Sequence, residues 1–306
     1  MRTLLFVFAV AATVAGPSAA DHRTVLRRAV AALVANQRPD GGFGYRSDGM
    51  SFADATAWAM LSVAGRYPPA WARARAFLLR CRRGRAFSAF PGDPDPSWMT
   101  APVALALLGQ DPRDEAGLAA VRWLLDEDLA YAEPARLAPG WPWTPGCAPW
   151  VEPTSITALC LGLVGRGREK RVRQGLEMVR LNEAKGGGWS LYETRPYPYH
   201  TALVVLAHLA AGQPSEPAVF QRGREALVRT LVPPSSGRPR SPLDLASGAL
   251  ALAAVRDPRA SVALDALVGA VRPDGSFGGA LETAFAVLAF SQALDDRPLF
   301  SARRTP

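Results

Sequence analysis

Six times along its 306 residues the chain repeats one unit: an amphipathic segment, a loop rich in Gly, Pro and aromatics, and a segment apolar nearly all round. The first unit has a helical stripe over 25–34, breaks at Pro39-Asp40-Gly41-Gly42-Phe43-Gly44, and resumes over 54–63. The later pairs are 71–80 with 99–108, 118–125 with 154–164, 172–181 with 201–210, 220–231 with 243–255, and 262–271 with 283–294. Their loops carry 87–98, Gly140-Trp141-Pro142-Trp143, Gly186-Gly187-Gly188-Trp189, 233–242 and 273–279, and only 233–242 lacks an aromatic. A period of roughly 40 to 55 residues belongs to helical repeat architectures.

The two segments of a unit have different needs. The first keeps Arg and Glu on one face, as in 173–180, and requires cover on one side only. The second, as in 202–211, is apolar on every side and must be surrounded. An outer ring of amphipathic helices around an inner ring of apolar ones satisfies both. An open two-layer solenoid is the alternative, but it needs atypical polar units at its ends. Here the first and last units carry the best-formed loops, which favours closure. The expected fold is all-α, an α/α toroid of six hairpins closed into a double-ring barrel.

Composition narrows the partners. The formal charge is +8, and Lys occurs only at Lys170 and Lys185, so the positive charge is almost all Arg. Those Arg residues are spread among Asp and Glu along the chain, which does not make the concentrated patch of a nucleic-acid binder. At the N-terminus Arg2 precedes an apolar run to Val14, then Gly16-Pro17 and Ser18-Ala19-Ala20. That order reads as a signal peptide cleaved after Ala20. The run is short for a membrane span, so export without a transmembrane anchor is expected. The division is then 1–20 signal peptide, 21–300 a single toroid domain and 301–306 a tail. Of Cys81, Cys147 and Cys160, the last sits in an apolar run as a small core residue. A bridge between the other two stays open.

Gln37-Arg38-Pro39-Asp40-Gly41-Gly42-Phe43-Gly44 and Arg272-Pro273-Asp274-Gly275-Ser276-Phe277-Gly278 resemble the repeat shared by protein prenyltransferase β-subunits and squalene/oxidosqualene cyclases. Gly187-Gly188-Trp189 carries the same core. The resemblance runs over the whole chain after residue 20 and implies the same toroid. It does not bring the catalytic motifs with it. Squalene cyclases protonate an alkene with an Asp-x-Asp-Asp run; the nearest match, Asp93-Pro94-Asp95-Pro96, lacks the last Asp and reads as an extended capping loop. The prenyltransferases hold zinc with an Asp, a Cys two residues on, and a later His. Glu152, Thr154 and His200 resemble those positions, but Thr in place of Cys removes the thiolate, so neither metal nor cofactor is expected. Gly140-Trp141-Pro142-Trp143 is also similar to loops of α/α-toroid pectate lyases.

The inner segments share one more regularity. They begin at Asp54 before Thr56, at Thr100, Glu152 before Thr154, His200 before Thr201, Asp244, and Glu282 before Thr283, a pattern that reads first as helix capping. In a closed toroid these residues ring one mouth. Trp143, Trp189, Tyr192, Tyr197 and Tyr199 from the loops would wall it. The expected ligand-binding set is therefore Asp54, Glu152, His200, Glu282, Trp143, Trp189 and Tyr199. The sequence favours a non-catalytic binding or scaffold toroid for a small-molecule, lipid-like or carbohydrate ligand. The alternatives are an enzyme on an isoprenoid or lipid substrate, and a polysaccharide lyase or hydrolase.

Overall fold

The computed structural model describes residues 17–46, 48–126, 139–191, 195–212, 217–231 and 240–300. Residues 1–16, most of the fifth loop, Tyr192 and 301–306 lie outside the described residues, with the expectations that fell on them. Twelve α-helices are described. The outer ones are α1 (Ala19–Ala35), α3 (Pro68–Arg80), α5 (Glu115–Asp126), α7 (Lys170–Leu181), α9 (Pro217–Leu231) and α11 (Ala260–Ala270). The inner ones are α2 (Ala53–Val63), α4 (Thr100–Leu108), α6 (Val151–Leu161), α8 (Pro198–Ala210), α10 (Pro242–Ala254) and α12 (Ala280–Ala293). A two-residue hairpin, Arg82–Arg83 with Ala86–Phe87, is the one sheet among the described residues. No described helix is long and apolar enough to cross a membrane.

The ring closes. Each inner helix packs on the next, α2 on α4, α4 on α6, α6 on α8, α8 on α10 and α10 on α12, and α12 packs back on α2. Burial follows the two-ring logic. In α8 every residue from His200 to His208 is buried, whereas α7 buries only Val172, Gly175, Leu176, Met178 and Val179. The seam between the last and first hairpins is made by backbone and side chains alike. The Ala280 N–H donates to the Gly44 carbonyl (3.3 Å), Ser62 Oγ donates to the Ala284 carbonyl (3.1 Å), and Arg66 reaches Ser291 Oγ (3.0 Å) and the Asp296 carboxylate (3.1 Å). Gly279 is required there, because a Cβ on it would stand 1.8 Å from the Tyr45 carbonyl oxygen. Gly279→Ala is therefore expected to open the seam and lower stability by about 3 kcal/mol, the upper range for overpacking. Urea unfolding measures it; an unchanged midpoint would mean the seam adjusts freely.

The loop aromatics and the inner-helix threonines form one repeated device. Phe43, Phe87, Trp141, Trp189 and Phe277 are all fully buried between hairpins. Burying such a residue also buries its backbone N–H and C=O, which need partners. The Thr hydroxyl of the following inner helix takes both. Thr56, Thr100, Thr154 and Thr201 accept from the N–H of Phe43, Phe87, Trp141 and Trp189 at 2.8 to 3.0 Å and donate back to the carbonyl of the same residue. In the sixth hairpin Thr283 accepts from Phe277 N–H (3.1 Å) and donates to Gly279 (2.8 Å). These threonines hold loops in place; they do not cap helices as the sequence suggested. Only the fifth inner helix has a side-chain cap, Ser241 on the Asp244 N–H (3.1 Å).

Candidate functional site

The first turns of α2, α6, α8 and α10 bring a polar cluster together at one mouth. Asp54, in the first turn of α2, is 2% exposed and accepts a hydrogen bond from Tyr45 Oη at 2.6 Å on one carboxylate oxygen. Its other oxygen is buried with no hydrogen-bond partner. Glu152 of α6 bonds His200 Nε2 of α8 at 3.0 Å, and its carboxylate helps hold the Tyr199 phenol in its protonated form. The Tyr199 backbone N–H donates to Asp244 of α10 at 3.2 Å, and its ring meets Phe285 of α12 edge-on, 5.9 Å between centroids. Buried His200 has Nδ1 without a partner.

Burial dominates the electrostatics here. Removal from water pushes the Asp54 carboxyl up to about 6, with the charge of Glu152 adding to the rise and the Tyr45 hydrogen bond opposing it. Burial also raises the Tyr45 and Tyr199 phenols, and the same carboxylates reinforce it. The mouth thus holds a carboxylic acid that carries its proton at mildly acidic pH, beside aromatic rings. Tyr45 lies on Phe52 (4.9 Å), Phe52 meets Phe90 edge-on (6.1 Å), and Trp98 meets Trp143 edge-on (5.2 Å).

Of the expected set, Asp54, Glu152, His200 and Tyr199 are gathered in this cluster. Trp143 sits half-buried beside Trp98 at the rim. Glu282 folds over Gly278 of its own loop, with one buried oxygen unpartnered. Trp189 stands apart: its ring is fully buried and its Nε1 donates to the Val179 carbonyl (2.8 Å). Tyr45 was not foreseen. Its place in a loop with no periodicity gave no signal beyond an aromatic near Asp54 in sequence.

The partial motifs resolve in the same geometry. Asp93 accepts from the backbone N–H groups of Ala89 (3.0 Å) and Asp95 (3.2 Å), so the Asp93 carboxylate shapes its own loop. Trp141 of the Gly-Trp-Pro string is buried, under the Arg171 guanidinium at 4.8 Å, and does not offer an exposed ring to a sugar. Glu152 and His200 do meet, but they bond each other, and the Thr154 hydroxyl is engaged with Trp141. This donor set does not fit a zinc ion. Among the described residues no group of three or more His, Cys, Asp or Glu could hold a metal. All three cysteines are free, and burial pushes the Cys81 thiol up to about 12.

No protein-family model matches the chain, and no curated protein matches it in sequence. Solved structures do match in shape. A variant of the type II terpene cyclase MstE from Scytonema, in complex with its substrate geranylgeranyl dihydroxybenzoate, superposes with a TM-score of 0.63 at 16% identity, over 90% of this chain and 98% of that one. A glycosidase matches at 0.60 and 15%, over 90% and 98%. The ent-copalyl diphosphate synthase of Streptomyces platensis matches at 0.55 and 18% over 79% of this chain, which spans half of that enzyme. At such identities the likeness concerns the fold. The chain has a terpenoid-cyclase-like α/α-toroid fold.

Proposed function

We propose that the inner-helix N-terminal mouth is an acid site for an apolar, lipid-like small molecule of the isoprenoid kind, with Asp54 as proton donor. The observation that carries this is Asp54 itself: a buried carboxyl raised to about 6, one oxygen oriented by Tyr45 and the other without a partner. A carboxylic acid kept protonated by an apolar setting is a proton donor in waiting. An acid of this strength suits protonating an oxygen, such as a terminal epoxide, more readily than an isolated alkene. The rings of Tyr199, Phe285 and Phe52 suit the cation that follows. Burial keeps Asp54 reluctant to ionise, and the Glu152 carboxylate, paired with His200, adds a smaller push in the same direction.

The test is incubation with linear polyprenyl compounds and their terminal epoxides in deuterated water. Conversion with solvent deuterium retained in the product, or with ring formation from the epoxide, supports the acid site. Substrate recovered intact while tightly bound would favour the second reading, a binding toroid. The pH dependence follows from the donor role. The active form is protonated, so turnover is expected to fall as pH rises through about 6. Tyr45→Phe removes the hydrogen bond that holds the carboxyl down and moves that fall to higher pH. A limb that stays in place would show that the titrating group is not Asp54.

Export belongs to the same proposal and rests on the residues before Asp21. Ser18 caps α1, with Asp21 returning the bond to its backbone. Cleavage after Ala20 removes that cap and makes Asp21 the new N-terminal residue. N-terminal sequencing of the secreted protein decides it.

A further inference from the structure

A cavity of about 1270 Å³ opens at the opposite end of the toroid, among the last turns of α6, α8, α10 and α12. Leu163, Leu209, Leu264, Leu294 and Phe300 give it an apolar wall. Two of its four titratable groups are already engaged. His22 bonds Asp265 (2.8 Å), and Asp257 is held by Arg259 (2.6 Å). Arg256 and Asp295 are different: both line the cavity, both are exposed, and neither makes an ion pair among the described residues.

Their backbones give an independent reason to single them out. Five of the six inner helices, all but α4, end in a residue of left-handed conformation, which glycine adopts without strain. Gly65, Gly165 and Gly212 occupy that turn after α2, α6 and α8, with φ of 66°, 79° and 60°. After α10 and α12 the same turn holds Arg256 (φ 57°) and Asp295 (φ 52°). The conformation is enforced, because the next residue's N–H closes each helix end, Asp257 on the Leu252 carbonyl (2.8 Å) and Asp296 on the Ser291 carbonyl (2.9 Å). A long cationic side chain is thus held where glycine fits better, facing an open cavity. Arg297, two residues beyond Asp295, shares the conformation (φ 58°) without lining the cavity, so it is the conformation together with the place in the cavity wall that singles out Arg256 and Asp295.

The two charges have opposite sign, and the inner-helix C-termini around them carry partial negative charge. A purely anionic ligand meets that field, and a purely cationic one leaves the Arg256 guanidinium unused. We propose that this cavity binds an amphiphile with a zwitterionic head. Its alkyl chain lies along the leucine and phenylalanine wall, its anionic group on Arg256, and its cationic group beside Asp295. The site is separate from the acid mouth and stands whether or not that mouth is catalytic.

Calorimetric titration of the full chain tests it with dodecylphosphocholine below its micellar concentration, beside dodecanoate, dodecyltrimethylammonium and free phosphocholine. The zwitterionic amphiphile is expected to bind roughly tenfold more tightly than either singly charged one, the scale of one charge-assisted hydrogen bond. Free phosphocholine, lacking the chain, is expected to bind far more weakly. Arg256→Gly should lose that tenfold for dodecylphosphocholine and leave dodecyltrimethylammonium binding in place. Its Tm should stay level or rise, since left-handed strain is relieved. Asp295→Gly should give the mirror result, and Asp54→Asn should bind all four probes as the wild type does. Equal binding of the three amphiphiles would overturn the proposal. So would an Arg256→Gly protein with a lowered Tm and intact zwitterion binding, which would make Arg256 structural only.

Discussion

Asp54→Asn is expected to lower turnover at the acid mouth by orders of magnitude and, above pH 6, to make the protein more stable. Loss of a positioned general acid lowers rates by about 10²- to 10⁴-fold, and the amide has no proton of comparable acidity to give. The stability gain follows from linkage. The Asp54 carboxyl rises from 3.8 in the unfolded chain to about 6 in the folded one, so the folded state binds the extra proton. Its contribution is fully present below pH 3.8 and is lost as pH rises through about 6. At 1.36 kcal/mol per unit, the buried carboxylate costs about 3 kcal/mol at neutral pH. Asn keeps an acceptor for Tyr45 without that penalty.

His208 supplies an internal control. Burial drives it down to about 4 from 6.5, so it adds stability that is present above pH 6.5 and lost as pH falls through about 4. In the wild type the two groups oppose each other over that interval. Asp54→Asn leaves the His208 rise uncompensated, and urea midpoints from pH 4 to 8 should climb more steeply than those of the wild type. A variant with wild-type turnover, or with no stability gain at pH 8, would remove Asp54 from the role of buried acid.

The two rings were legible because burial demands differ between the two helices of each unit, and periodicity records that demand directly. Ala202 to Ala207 have no polar face and α7 has one, and no further information is needed to rank them inner and outer. Closure was legible from the loops at both ends, though the contact that enforces it, Gly279 against the Tyr45 carbonyl, is a backbone matter that no side-chain pattern announces. The mouth residues were found as helix-start groups, but their roles were not. Thr56 and Asp54 sit two apart and look alike as caps, yet one turns to the loop backbone and the other to Tyr45. That choice depends on where the loop runs. The opposite cavity left less trace still: Arg256 is one Arg among many until its backbone angle is known.

Trp189→Ala is expected to destabilise the protein by about 4 kcal/mol, the range for deleting a fully buried large aromatic. The indole is enclosed by Val151, Met178, Val179, Val204 and Val219. It also lies against Gly223 of α9, where a Cβ would come within 3.1 Å of the ring. That glycine is why the loss is large: with no side chain on α9 to move inward, truncation leaves a cavity instead of a repacked core. The Val179 carbonyl loses its indole donor as well. Trp189→Phe should recover most of the packing and still forfeit that hydrogen bond, placing it between Ala and wild type by about 1 kcal/mol below the latter. Thr201→Val probes the other half of the device. It keeps the side-chain shape but strands the Trp189 N–H in the core, while the Trp189 carbonyl keeps the Tyr197 N–H (2.8 Å), and a loss of about 2 kcal/mol is expected. His200→Ala, at the mouth, leaves the largely buried Glu152 carboxylate without its partner, so its loss should rival that of Thr201→Val although the space between hairpins stays filled. If Trp189→Ala instead unfolds at the wild-type urea concentration while ligand affinity at the mouth collapses, the indole belongs to the site and not to the ring.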